Sequence, residues 1–138
     1  MEDIFVGSLM TSPVTTVPAD TPAKDAAAQM LEAGISSVVV VDEDDQLAGI
    51  LTSTDFVAIA AADDSAAAFS VADHMTTDVV TTTAGASIEA VADLLIEHGI
   101  HHVPVVDGAS GVVGMVTTTD LTAYLAGAVD AESTRAWT

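Results

Sequence analysis

An α+β fold made of two copies of one β-α-β-β-α unit is what this sequence predicts, and three observations predict it. Sliding the chain by about 65 residues aligns residues 6–56 with residues 71–121 without a gap, and about 18 of the 51 pairs are identical. The matches fall where a backbone is demanding: Met10 with Met75, Gly34 with Gly99, Ile35 with Ile100, Asp42 with Asp107, Gly49 with Gly114, Thr52 with Thr117 and Asp55 with Asp120. Each copy also runs through the same order of local patterns, a short β-branched piece, a helical stretch, two apolar strands and a second helix. The expected layout is copy 1 at residues 6–62, a linker at 63–70, copy 2 at 71–127 and a tail at 128–138.

The elements follow in order. Residues 14–17 are β-branched and end before Pro18, which predicts a short strand, with a counterpart in the second copy. Thr21 before Pro22 has the form of an N-cap followed by proline at the first helical position. Residues 23–33 supply helix formers and Gly34 stops them. In the second copy Ser87 is the expected cap, residues 88–98 the helix and Gly99 the stop. Ala26, Met30 and Ala33, with Val91, Leu94, Leu95 and His98, recur at helical spacing and predict the packed faces. Residues 38–41 and 103–106 are apolar runs of strand length, as in strands buried on both faces. Turns through residues 42–45 and 107–110 return the chain into residues 47–52 and 112–117, and a final helix is expected to begin at Asp55 and at Asp120.

Composition narrows the function. Half of the 138 residues are apolar but few are aromatic, so the core should be packed from small side chains. Asp and Glu number 21 against Lys24 and Arg135 alone, a formal charge of −19. Nucleic acid is therefore an unsuitable partner, because phosphate-backbone binding depends on Lys and Arg displacing counterions. Acids dispersed through ordered apolar patterns fit a folded protein of a high-salt cytoplasm, where concentrated salt screens such charge. Neither residues 108–119 nor any other stretch without a charge reaches the roughly 18–20 apolar residues of a membrane span. Residues 1–10 lack the basic and apolar regions of a signal peptide, so no membrane partner and a cytoplasmic location are expected. With no cysteine, disulfides and thiolate chemistry are excluded.

The chemistry concentrates at two matching places. Thr52 to Asp55 and Thr117 to Asp120 are capping boxes in form, at a strand-to-helix junction. A Thr hydroxyl beside free backbone amides at a helix N-terminus is also an oxygen-anion site. A carboxylate one turn away can accept two hydrogen bonds from a ribose diol. Both readings stay open at this point. His98, His101 and His102, with Glu97, invite a metal reading, but adjacent residues at a strand entrance point to opposite faces. His98 is placed to face the negative end of the helix dipole. No nucleophile elbow, GxGxxG or Walker pattern is present, so the residue inventory argues against an enzyme.

The segment from Met10 to Val14, the Gly-Ile pairs before the apolar strands, residues 103–107, and above all residues 49–55 and 114–120 with their paired Gly-x-x-Thr-x-x-Asp motifs resemble CBS domains over nearly the whole chain. The resemblance implies two repeats packed through their sheets into one pseudo-two-fold module that binds an adenosine-containing ligand in clefts between the copies. It implies that Asp55 and Asp120 take ribose, that Thr52, Thr54, Thr117 and Thr119 meet phosphate, and that His101 and His102, before Pro104, contact ligand. Ser36, Ser37 and Val17 hold the corresponding places of the first copy, which has Val39 instead of the proline.

The reading is a non-catalytic regulator, needing no cofactor, that senses AMP, ADP, ATP or S-adenosylmethionine as a homodimer and reports to an unidentified protein target. A dimerisation module with vestigial clefts and a His-cluster metal sensor are the competing readings. With so few cations, the sites should favour AMP, adenosine or S-adenosylmethionine over ATP unless magnesium or molar potassium supplies positive charge.

Overall fold

The structure, a computed structural model, describes residues 4–62, 69–108 and 111–127. The tail with Arg135, most of the linker and residues 109 and 110 of the second hairpin turn lie outside the described residues. The elements are α1 (Val6–Leu9), β1 (Thr16–Pro18), α2 (Ala23–Ala33), β2 (Ser37–Val41), β3 (Leu47–Thr52), α3 (Ser53–Ala61), a 3₁₀ turn (Val71–Asp73), α4 (Ile88–His98), β4 (His102–Asp107), β5 (Gly111–Thr117) and α5 (Thr118–Leu125). This is a mixed α+β chain built on two repeats.

The two compact units are not the two stretches of sequence. One comprises Val14–Val79; the other joins Met1–Pro13 to Val80–Thr138. The leading segment of each repeat therefore packs on the body of the other repeat. In the first unit Val71 lies in a core with Val17, Ala26, Met30, Val38, Val40 and Leu51. In the second unit Val6 takes the same role among Val91, Leu95, Val103, Val105 and Val116. These side chains are small, as composition requires, and Leu51 is the largest that is fully buried. Ala33 and His98, expected on the packed helix faces, are exposed instead, because each stands in the last turn of its helix.

The glycines Gly49 and Gly114 are fixed by this exchange. A Cβ at Gly49 would stand 2.7 Å from Met75 Sδ and 2.8 Å from the Thr76 carbonyl oxygen. At Gly114 it would stand 2.6 Å from Met10 Sδ and 3.0 Å from the Thr11 carbonyl oxygen. The close approach lets Thr76 and Ile50 exchange backbone hydrogen bonds of 2.9 and 3.0 Å, and Thr11 and Met115 bonds of 2.8 and 3.0 Å. A repeat register that aligns Met10 with Met75 thus hides that each methionine covers the glycine of the opposite repeat.

The first unit has a three-stranded sheet in the order β1-β2-β3, with β1 parallel to β2 and β3 antiparallel to it. The second has β4 and β5 as an antiparallel pair. Its expected first strand is reduced to one parallel bridge, Thr82 with Val105. Pro104 is the physical reason. In the first unit Val39 N–H donates to the Thr15 carbonyl at 3.1 Å, and Pro104, in the place of Val39, has no N–H to donate. Register shifts between Val40 and Val41 and between Val105 and Val106 repeat each other.

Helix ends follow the local code with two departures. Gly34 and Gly99 cap α2 and α4 at φ 67° and 62°, a left-handed backbone that favours glycine. Ser87 caps α4 by accepting from Ala90 N–H at 3.1 Å. Thr21 does not cap α2, since Pro22 holds that position at φ −58° and ψ 136°. The first helical amide, of Ala23, finds the Phe69 carbonyl at 2.8 Å instead, and the Thr21 carbonyl accepts from Val71 N–H at 2.8 Å. The second departure is that α3 and α5 begin at Ser53 and Thr118, two residues before the aspartates expected to open them, so Asp55 and Asp120 occupy the third helical position.

Candidate functional site

Each unit brings three pieces of chain together at one corner: the end of its hairpin, the first turn of the helix that follows, and the entrance of its first hairpin strand. The register does this. Ser37 pairs with Thr52 in the first unit and His102 with Thr117 in the second, so the strand entrance lies beside the residue that caps the helix. A backbone bond locks the corner, Ser53 N–H to the Ser36 carbonyl at 3.0 Å and Thr118 N–H to the His101 carbonyl at 3.1 Å.

Both capping boxes are closed. Asp55 Oδ2 accepts from Thr52 N–H at 2.7 Å and from the Thr52 hydroxyl at 3.4 Å. Asp120 Oδ2 accepts from Thr117 N–H at 2.8 Å, and Thr117 Oγ1 accepts from Asp120 N–H at 3.3 Å. In both units one carboxylate oxygen does the capping, while Oδ1 has no hydrogen bond among the described residues. The two readings of the motif are therefore compatible, because capping consumes one oxygen and leaves the other to accept from a ligand. Burial of Asp120 raises its pKa, and the backbone and hydroxyl donors of Thr117 pull it the other way.

The strand entrances differ in chemistry. Ser53 hydroxyl donates to the Ser36 carbonyl at 3.2 Å. In the second unit the Thr118 hydroxyl lies 3.3 Å from the His101 carbonyl oxygen and 3.2 Å from His101 Nδ1. His101 is exposed and His102 half-buried, as alternation along a strand requires. Burial, then the neighbouring His101, lowers the His102 pKa. Ser37 is buried at 8% exposure. Thr54 and Thr119 are exposed on the first turns of α3 and α5.

Val17 and Pro104 stand apart from this set, because their side chains are buried. Val17 belongs to the apolar core of its unit, and the Pro104 carbonyl accepts from Thr82 N–H at 3.0 Å. Ser53 and Thr118, which tie helix to strand, were not among the residues singled out from sequence; their signal was a hydroxyl directly after each capping Thr. Thr118 and Thr119 also line a depression of about 230 Å³ on α5, with Thr122, Ala123 and Ala126. Among the described residues no group of three His, Cys, Asp or Glu side chains is placed to hold a metal ion. No helix among them is long and apolar enough to cross a membrane.

Comparison with known proteins gives a consistent picture. The family model described as "CBS domain" matches residues 6–62 and again residues 71–127. The chain is 32% identical over 116 residues to an inosine-5′-monophosphate dehydrogenase of Nitrosopumilus maritimus, covering 84% of this chain and 23% of that one. It is 29% identical over 122 residues to a homoserine O-acetyltransferase of Methanococcus vannielii, covering 88% of this chain and 25% of that one. The chain thus spans about a quarter of the length of these two curated relatives. Among solved structures, it is similar to the CBS domain pair of protein MJ0100, in complex with 5′-methylthioadenosine and S-adenosyl-L-methionine. That match has a TM-score of 0.85 and 28% identity, and covers 91% of this chain and 98% of the other.

Proposed function

We propose, from the premise that the chain belongs to the CBS domain family, that it is a non-catalytic regulatory module sensing an adenosine-containing ligand at the helix-capping corner of each unit. The observation that carries the reading is the division of labour in the two aspartates. Oδ2 of Asp55 and of Asp120 holds the capping box while Oδ1 remains to accept from a ribose diol. Thr52, Thr54, Thr117 and Thr119 with the helix amides receive a phosphate or its replacement, and Ser36, Ser37, His101 and His102 flank it. Val17 and Pro104 contribute backbone and shape, since their side chains are buried. The structural relative bound to 5′-methylthioadenosine and S-adenosyl-L-methionine supports an adenosine ligand. The enzyme names of the curated relatives belong to proteins about four times as long.

Lys24 is the one Lys or Arg among the described residues, on α2, so the preference runs to AMP, adenosine or S-adenosylmethionine over ATP without magnesium. The test is a thermal-shift series with these ligands at molar salt, since a ligand bound only by the folded state raises the melting temperature by mass action. The expected result is a shift that disappears in Asp55→Ala combined with Asp120→Ala. A shift intact in that double variant contradicts the ribose role.

The module acts as a homodimer on a separate protein target. Leu31 and Ile96, at the same register of α2 and α4, are 84% and 82% exposed and offer apolar contacts to a second copy. Its setting is the high-salt cytoplasm of a halophilic archaeon, since a charge of −19 repels itself over a Debye length of about 30 Å at 0.01 M salt but about 3 Å at 1 M. Circular dichroism that loses helix signal on dilution to millimolar salt is the expected outcome, and an unchanged spectrum counts against that setting.

A further inference from the structure

His101 differs from every other residue at the two corners in setting a ring nitrogen against a hydroxyl, Nδ1 against Thr118 Oγ1. The Thr118 hydroxyl has one hydrogen and two neighbours, the His101 carbonyl oxygen at 3.3 Å and His101 Nδ1 at 3.2 Å. Both contacts are hydrogen bonds at once when the hydroxyl hydrogen goes to the carbonyl, which only accepts, and Oγ1 accepts from Nδ1–H. The geometry thus fits a neutral ring with its hydrogen on Nδ1. Nε2 is left as a bare acceptor, with no hydrogen-bond partner among the described residues, on an exposed ring beside the first turn of α5. The first unit has Ser36 in this place, which does not titrate.

We propose that His101 makes the second-unit site select its ligand by charge: the neutral ring turns a phosphate monoester away through the Nε2 lone pair, and the protonated ring accepts it through an Nε2–H donor. The inference rests on the adenosine-ligand reading above. At neutral pH the second unit takes an adenosine ligand without a phosphate, and acidification opens it to a nucleoside monophosphate, while the first unit is indifferent. His102 on β4 interacts with His101 directly, and the titratable groups nearest along the adjoining helices are Asp120 in the first turn of α5 and Glu97 and His98 at the end of α4. None is a Lys or Arg, so protonation of His101 supplies a positive charge beside a phosphate that these neighbours otherwise lack.

Two measurements on the full chain at molar salt test this. Nitrogen-15 NMR of the imidazoles at pH 8 is expected to show His101 with its hydrogen on Nδ1, and to show a mixture in Thr118→Val. A hydrogen on Nε2 in the unaltered protein overturns the proposal. Calorimetric titration with AMP and with adenosine at pH 8 and pH 5.5 is expected to raise the ratio of AMP to adenosine affinity about tenfold on acidification, the effect of one charge-assisted hydrogen bond. In His101→Ser that ratio stays flat or falls, because the AMP phosphate itself takes up a proton near pH 6. A ratio that changes alike in the unaltered protein and in His101→Ser overturns the proposal and leaves the adenosine reading standing. Absence of binding by both probes at both pH values overturns the two together.

Discussion

The two units answer the same local problem with the same scaffold and then part company at two positions. Both close a capping box with Asp Oδ2, both lay a methionine across a strand glycine, and both shift register at the matching residue. They differ where Val39 corresponds to Pro104, and where Ser36 and Ser37 correspond to His101 and His102. One proline shortens a ladder to a single bridge. Two histidines replace hydroxyls at a helix N-terminus with groups that titrate. The corner is thus held by contacts the units share, and its chemistry is set by residues they do not.

Exchanging the divergent positions should break this comparison most visibly. Val39→Pro removes the donor to the Thr15 carbonyl within the central strand of the sheet, and an unmet buried polar group costs about 3 kcal/mol. Denaturant unfolding measures it, and Pro104→Val should be nearly neutral, with a new protected amide at position 104 in hydrogen exchange. The shared glycine contact comes next. Gly49→Ala meets a carbonyl oxygen at 2.8 Å and should cost about 2 kcal/mol, whereas Gly114→Ala meets its carbonyl at 3.0 Å and mostly the flexible end of Met10, for about 1 kcal/mol. Equal costs would mean that the two methionine contacts are equally rigid.

Smaller still, Asp55→Ala and Asp120→Ala should each lose about 1 kcal/mol of stability through the capping box, by equal amounts in the two units. The smallest effect is a pH dependence contributed by the second unit. With His102 lowered below 6.5, the unfolded chain binds more protons, so stability falls as pH drops through about 6.5. Asp120 has the opposite sign, because its raised pKa makes the folded chain hold the proton more tightly, and stability is regained as pH falls through that pKa toward 3.8. Thermal melts from pH 8 to pH 4 should show the first loss, and His102→Ser should abolish it.

Much of this was legible in the sequence, for identifiable reasons. The capping boxes, the glycine stops and the valine strands are local: each depends on residues within a turn or two, so the repeat displayed them twice. The exchange of leading segments was not legible, because a repeat register is the same whether Met10 covers Gly114 or Gly49. The Thr21 cap failed for a related reason, since the Phe69 carbonyl, distant in sequence, satisfies the amide that a local cap would have served. The loss of the second unit's first strand was present in the sequence as Pro104, but its consequence needed the partner carbonyl. The site residues were visible as types and positions. That one aspartate oxygen caps while the other is left required coordinates.

The measurement that bears most directly on the account is calorimetric titration of the full chain with AMP at molar salt, beside Asp55→Ala and Asp120→Ala. Two unequal sites are expected, or one occupied site, and each variant should remove the site of its own unit where that site is occupied, while the other unit keeps its affinity. Two identical and independent sites, or binding that survives in both variants with unchanged stoichiometry, would contradict the claim that the capped aspartate of each unit is also its ligand acceptor.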